Sequence, residues 1–271
     1  MAKVSLSIII PTLNRPSLQN VLKGIKACEG YDEKIIEILV IENLTTSQAR
    51  NKGLDQAQGE IIAFLGDDTI PDKNWLQKVL NFHKNHPEPK AALLGKVSWT
   101  DALAQDPFHQ WLECNAQFQW NALPSPDKGR CPKGGGVLVN PANAWKFFYT
   151  SNISLKKSFL DTERFSDAFE GWGFEDTELG YRLSKKGMCL YFYETCEVLH
   201  DHKMTLEGLI KNTQNARTNA KIFEKLHPEV KILPNDFKKI ILKLLIIFSW
   251  PLQTFSKKTY WWRIWKKNWL G

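Results

Sequence analysis

Leu6-Ser-Ile-Ile-Ile10-Pro11-Thr12-Leu-Asn14-Arg15 opens the chain with an apolar run, rich in β-branched residues and closed by a proline. That is the pattern of a strand buried on both faces of a parallel sheet. Leu18, Val21, Leu22 and Ile25 follow at the spacing of one helix face, with Ser17 as a candidate cap. The strand signal returns at Ile35 to Ile41, the helix signal at Ser47 to Ala57, and the strand signal again at Ile61 to Leu65. This βαβαβ order predicts right-handed crossovers and a ligand site at the carboxyl ends of the strands. A helix over Lys73 to Asn85 and a strand over Ala91 to Val97 extend the pattern.

The alternation then ends. Residues 100 to 150 are rich in Pro, Gly, Asn and aromatic side chains and read as substrate-facing loops with short elements. Helical spacing resumes at Thr177 to Lys186 and from about Leu206 to Leu226. The expected organisation is an α/β domain over 1–230, with a nucleotide-binding half at 1–99 and an acceptor-binding half at 100–230, and a separate tail at 231–271.

With 271 residues, 43% of them hydrophobic, the chain is long enough for one large core, and its composition excludes a disordered protein. The first residues lack the long apolar stretch and cleavage pattern of a signal peptide. Five cysteines, scattered and odd in number, read as free thiols in a reducing cytosol. The net charge of +7 is concentrated: nine Lys or Arg and one Asp follow position 230, a local +8 that leaves the rest at −1. The rest of the chain is therefore not a nucleic-acid surface, and the question passes to the tail.

Three polar clusters terminate the first three strands. Gly66-Asp67-Asp68-Thr69 sets two carboxylates at the end of the third, where a divalent cation is the natural partner; Mg²⁺ or Mn²⁺ takes oxygen ligands from one or two carboxylates and from phosphates. The alternative is a solvated turn whose Asp caps the next helix. Pro11, Thr12, Asn14 and Arg15 follow the first strand and Glu42-Asn43 the second, so all share one rim of the sheet and suit a base and a ribose. Arg50 either faces the diphosphate or lies on a solvated helix face.

Phe169-Glu-Gly171-Trp172-Gly173-Phe174-Glu175-Asp176-Thr-Glu-Leu-Gly-Tyr-Arg-Leu183 is the most specific stretch. Its glycines free the backbone around Trp172, a flat apolar surface suited to a sugar ring or simply to packing. Glu175 and Asp176 begin a helix, where N–H groups and the dipole favour ionised carboxylates. An ionised Asp beside a hydroxyl can take its proton, or it only caps the helix.

Together these segments resemble glycosyltransferase family 2 enzymes of the GT-A fold, over roughly residues 4 to 205. The last of them is also similar to the corresponding region of β-1,4-galactosyltransferases and chondroitin polymerases. The resemblance implies a Rossmann-like, mostly parallel sheet flanked by helices and an inverting transfer from a nucleoside-diphosphate sugar, UDP foremost. The acceptor it implies is a saccharide or lipid-linked saccharide. It implies Asp67 and Asp68 as the D-x-D metal and nucleotide motif, Asp176 as base with Glu175 beside it, and Trp172, Gly173 and Glu175 on the acceptor. Asn152 falls beside the donor sugar, and His200 completes the metal site, His202 being an alternative. The sequence departs from the family at Thr69, in place of the second Asp of the motif, and at Glu42-Asn43. Two other readings stand beside this one: a nucleotidyltransferase of similar architecture, and a non-catalytic membrane-binding module.

The tail joins an apolar run, Ile240 to Leu252, to a segment of lysines and tryptophans. The run is short for a span of ~20 residues, and Trp beside Lys suits a lipid headgroup layer. The expectation is a helical, membrane-associating appendage that holds the enzyme to the inner face of the cell membrane, with nucleic acid not a partner.

Overall fold

The computed structural model describes residues 4–115 and 137–233. Among the described residues two compact units are present: those up to Asp167 with Asp176–Lys203, and Ala168–Glu175 with those from Met204 on. The first begins β1 (Leu6–Thr12), α1 (Leu18–Lys26), β2 (Ile36–Glu42), α2 (Thr46–Gln56) and β3 (Ile61–Leu65). It continues with β4 (Thr69–Pro71), α3 (Trp75–Asn85), β5 (Ala91–Trp99), α4 (Asp101–Ala104) and α5 (Pro107–Asn115). β6 (Val137–Leu138), a 3-10 turn at Ala144–Phe147, β7 (Asn152–Lys156), α6 (Lys157–Leu160), α7 (Glu175–Lys185) and β8 (Cys189–His200) follow. α8 (Leu206–Leu226) belongs to the second unit.

The strands form one sheet in the order β2-β1-β3-β7-β5-β8-β4, with β6 on β8. The first three strands are parallel, as the βαβαβ pattern predicts. Beyond them the expectation of a mostly parallel sheet is corrected: β7 runs antiparallel to both β3 and β5, and β4 and β6 run antiparallel to β8. β7 arrives from the region past residue 100 and enters the sheet beside β3, where no helical crossover fixes a parallel direction. Its insertion, with β8, places strands from both expected halves of the domain in one sheet.

Helices cover both faces. β1 is buried except at Pro11, Ile8 and Ile10 packing with Leu18, Val21 and Ile25 of α1 and with Trp75, Leu76 and Val79 of α3. Ile9 points the other way, into a cluster with Leu54 of α2 and Leu179 and Leu183 of α7. That alternation is the period-2 consequence of the pleat, and it fixes the register of β1 between two apolar layers. Each such side chain, fully buried, contributes about 1.5–3 kcal/mol. α2 starts at a capping box, the Thr45 hydroxyl accepting from the Gln48 amide and the Gln48 side chain accepting from the Thr45 amide.

One contact limits how the sheet can pack. β5 and β8 pair in parallel with a register shift between Gly95 and Val97. A Cβ at Gly95 would lie 2.1 Å from the Cys196 carbonyl and 2.2 Å from the Asn152 amide nitrogen. Only glycine allows the two backbones and Asn152 to meet there.

Among the described residues no helix is long and apolar enough to cross a membrane. The tail from position 234 lies outside the described residues. Cys28, Cys189 and Cys196 are free thiols, as expected, and burial pushes the Cys196 thiol up to about 12, where it is inert at neutral pH.

Candidate active site

The rim of the first unit is built where β1, β2 and β3 end. Thr12 pairs with Glu42 in the β1–β2 ladder, so the first two polar clusters are neighbours by register. Asn14 and Asn43 both adopt positive φ (60° each), the conformation short polar side chains tolerate in a turn. Asn14 donates its backbone N–H to the Thr12 hydroxyl at 2.9 Å, and that hydroxyl donates to Asp67 Oδ2 at 2.7 Å. β1 thereby orients a carboxylate that follows β3.

Asp67 and Asp68 are both buried at 8% and 7% exposure, an arrangement that requires positive partners. Arg15 Nη1 meets Asp68 Oδ2 directly and lies 3.7 Å from Asp67 Oδ1. His200 Nε2 approaches the same Asp68 oxygen at 3.3 Å. The ladder explains why: Thr69 of β4 is paired with His200 of β8, and Asp201 donates its N–H to the Asp68 carbonyl at 2.7 Å. Burial by itself pushes the Asp68 carboxyl up. The hydrogen bond and charge of His200, with Arg15 and His202, outweigh it and hold the group below the usual carboxylate range.

Ser17, the candidate cap of α1, makes no capping hydrogen bond, and with Asn20 and Thr69 it completes the turn instead. Ser17 donates to the Asp67 carbonyl at 3.0 Å, and Asn20 donates to Asp201 at 3.1 Å, so α1 grips the acidic turn from one side. Thr69 directs its one hydroxyl proton between the carbonyls of Gly66 (3.0 Å) and Ser151 (3.3 Å).

Ser151 links this turn to Asp176. The adjacent Thr150 directs its N–H at Asp176 Oδ2 (3.5 Å), while Asp176 Oδ1 accepts from its neighbour Thr177 N–H at 2.7 Å in the first turn of α7. Burial, and then the Asp176 carboxylate, push the Tyr149 phenol up, so Tyr149 stays protonated beside it. The 149–151 segment thus touches the acidic turn on one side and Asp176 on the other.

Asn152 does not serve where the sequence placed it. Its side chain is 2% exposed; Oδ1 accepts from Trp75 Nε1 at 2.9 Å, and Nδ2 donates to the Lys96 and Cys196 carbonyls at 3.0 and 2.9 Å. All of it points into the β5–β7–β8 junction, so the expected contact with a donor sugar is replaced by a structural role. Asn152→Ala leaves three buried groups without partners and should destabilise the fold by about 2–4 kcal/mol, read as a lowered midpoint in urea unfolding. Arg50 is not on a solvated face: it is 8% exposed, with its guanidinium 5.2 Å over the Phe165 ring.

In the second unit Trp172 is 55% exposed on a loop with positive φ at Gly171, Gly173 and Phe174. Asn219 of α8, fully buried, holds that loop by donating to the Glu170 and Gly173 carbonyls at 2.9 and 2.8 Å. A polar residue on the apolar stripe of a helix was the signal that could have found it. Glu175, at the head of α7, is buried.

Whether these residues fit a divalent cation is decided by the donor set. Asp68 and His200 converge, with Asp67 beside them, yet among the described residues no group of three or more His, Cys, Asp or Glu side chains is assembled to hold a metal. Two adjacent carboxylates with a histidine nitrogen facing one of them are nonetheless donor types that such a cation accepts.

Residues 28–138 match the model of glycosyl transferase family 2, and residues 140–205 match the model described as the N-terminal domain of galactosyltransferase. The resemblance read from the sequence holds in both of its parts. Validoxylamine A glucosyltransferase of Streptomyces hygroscopicus subsp. limoneus is 27% identical, the match covering 86% of this chain and 58% of that protein. Chondroitin synthase of Escherichia coli is 25% identical, covering 67% of this chain and 32% of its own length. The chain spans about three fifths of the length of the validoxylamine A glucosyltransferases it matches, 58% and 63%. A crystal structure of S. aureus TarS in complex with UDP superposes with a TM-score of 0.53 at 14% identity, over 94% of this chain and 73% of that one. The fold is of the GT-A type: a mixed sheet with helices on both faces.

Proposed function

We propose that the chain transfers a sugar, with inversion, from a nucleoside-diphosphate sugar to a hydroxyl of a saccharide or lipid-linked saccharide. UDP is the first carrier to test, since the TarS neighbour is a UDP complex. The observation that carries the reading is the 149–151 segment, which contacts both Thr69 after the acidic pair and Asp176.

The chemistry follows from those side chains. The acceptor oxygen forms a bond to the anomeric carbon as the bond to the diphosphate breaks, and the hydroxyl proton passes to Asp176. One displacement from the opposite face inverts the centre. Pro11, Thr12, Glu42 and Asn43 line the rim that receives base and ribose, and Trp172 offers its face to the acceptor. Asp68, Asp67 and His200 would hold Mn²⁺ or Mg²⁺, which supplies charge to a departing diphosphate. The basic, aromatic tail attaches the enzyme to the inner face of the membrane, each basic residue adding about 1 kcal/mol near anionic lipid.

A panel of nucleotide sugars, assayed with Mn²⁺, Mg²⁺ or chelator for nucleoside-diphosphate release, tests this. Release from one donor, suppressed by chelator, is expected. Pyrophosphate release would instead identify a nucleotidyltransferase, and no product with any donor would mark a binding module.

A further inference from the structure

The metal-ligand turn already carries a cation of its own. Arg15 approaches both carboxylates, and on Asp68 it takes Oδ2, the oxygen that also faces His200. Its backbone is fixed: Asn14 N–H is bonded to the Thr12 hydroxyl, and the Arg15 carbonyl accepts from Leu18 N–H at 3.1 Å as α1 begins. Its side chain is 43% exposed, against 10% for each Asp. A buried pair of carboxylates is thus held by a half-exposed guanidinium at the rim.

The geometry points to Arg15 as a competing counter-cation, one that keeps Asp67 and Asp68 from a divalent ion until a diphosphate draws it away. The inference rests on the proposed use of a nucleotide and a cation at this turn. Two physical facts carry it. An oxygen that accepts a charged N–H bond is a poor ligand for a second cation, and the fork of an arginine matches phosphate as well as carboxylate. Phosphate oxygens entering beside the turn offer Arg15 an alternative partner and offer the ion its missing ligands. By linkage, nucleotide and ion then tighten each other by one common factor, and the turn loads with both or with neither. A lysine would keep the charge but lose the fork.

Titration of Mn²⁺ onto the full-length protein, followed by electron paramagnetic resonance with and without UDP, tests this without reference to turnover. Wild type should bind Mn²⁺ weakly alone and at least ~30-fold more tightly with saturating UDP, within the usual range of coupling between sites. Arg15→Gln should bind Mn²⁺ about 10-fold more tightly than wild type in the absence of UDP and show a reduced enhancement by UDP, and Arg15→Lys should fall between. An unchanged or weakened affinity for Mn²⁺ alone in Arg15→Gln, with UDP binding retained, overturns the competition and leaves the enzymatic reading standing. Absence of Mn²⁺ binding in wild type even with UDP overturns both. A thermal unfolding curve on each variant identifies loss of fold; should Arg15→Gln be unfolded, Arg15→Lys decides by the same comparison.

Discussion

Asp176→Asn is expected to lower turnover by about 10³-fold while leaving the affinity for UDP within about twofold of wild type. The substitution preserves size, and Asn can still accept the Thr177 N–H through its one remaining carbonyl oxygen. What it removes is the negative charge and the basic lone pair. Without them a hydroxyl must lose its proton to water in the transition state, and the whole loss falls on the chemical step. Nucleotide affinity is expected to hold because Thr12, Arg15, Asp67 and Asp68 make their contacts around the acidic turn, while Asp176 receives the Thr150 and Thr177 amides. Isothermal titration with UDP and a steady-state assay of UDP release separate the two quantities. Full turnover in the variant would remove Asp176 from the role of base, whatever the donor proves to be.

Much of this arrangement is legible in the sequence. The first three strands are readable because each is a near-continuous apolar run, the helices because they fill the intervals between those runs, and each boundary is marked by a proline, a polar cluster or a glycine. The rim followed from topology alone, since parallel strands deliver their ends to one edge. β7 and β4 were not legible. Both are short; Asn152-Ile-Ser-Leu-Lys156 alternates polar and apolar residues over only five positions, yet both of its faces are buried, and its place in the sheet comes from filling the gap between β3 and β5. Asn152 failed for a related reason: a lone polar residue at a strand start carries no sign of whether it faces a ligand or a neighbouring backbone. Its partners, Trp75, Lys96 and Cys196, are remote in sequence. Arg15 was read as part of a polar cluster, but its grip on Asp68 depends on the separation of two strand ends, which no single segment encodes.

Asp68→Asn should have the larger consequence for binding, and Asp67→Asn the smaller, although the two residues are adjacent and equally buried. Asp67 Oδ2 accepts a neutral hydroxyl bond from Thr12, which a side-chain amide oxygen also accepts. Asp68 Oδ2 is shared by Arg15 and His200, both of which interact with its negative charge. The surrounding groups also hold Asp68 below the usual carboxylate range, so it is ionised at neutral pH despite its burial. Replacing it with Asn deletes a charge that the site is built around and turns an amide towards Arg15 or His200. Cation-dependent affinity for UDP is therefore expected to fall about 100-fold, and turnover about 10³-fold, where Asp67→Asn loses roughly a tenth as much, on the scale of one or two charge-assisted contacts. Titrating UDP in saturating Mn²⁺ and again in chelator isolates the part that depends on the ion. Equal losses in the two variants would show that the pair acts through its summed charge alone. The asymmetry imposed by β8, which brings His200 to one carboxylate and not to the other, would then have no chemical role.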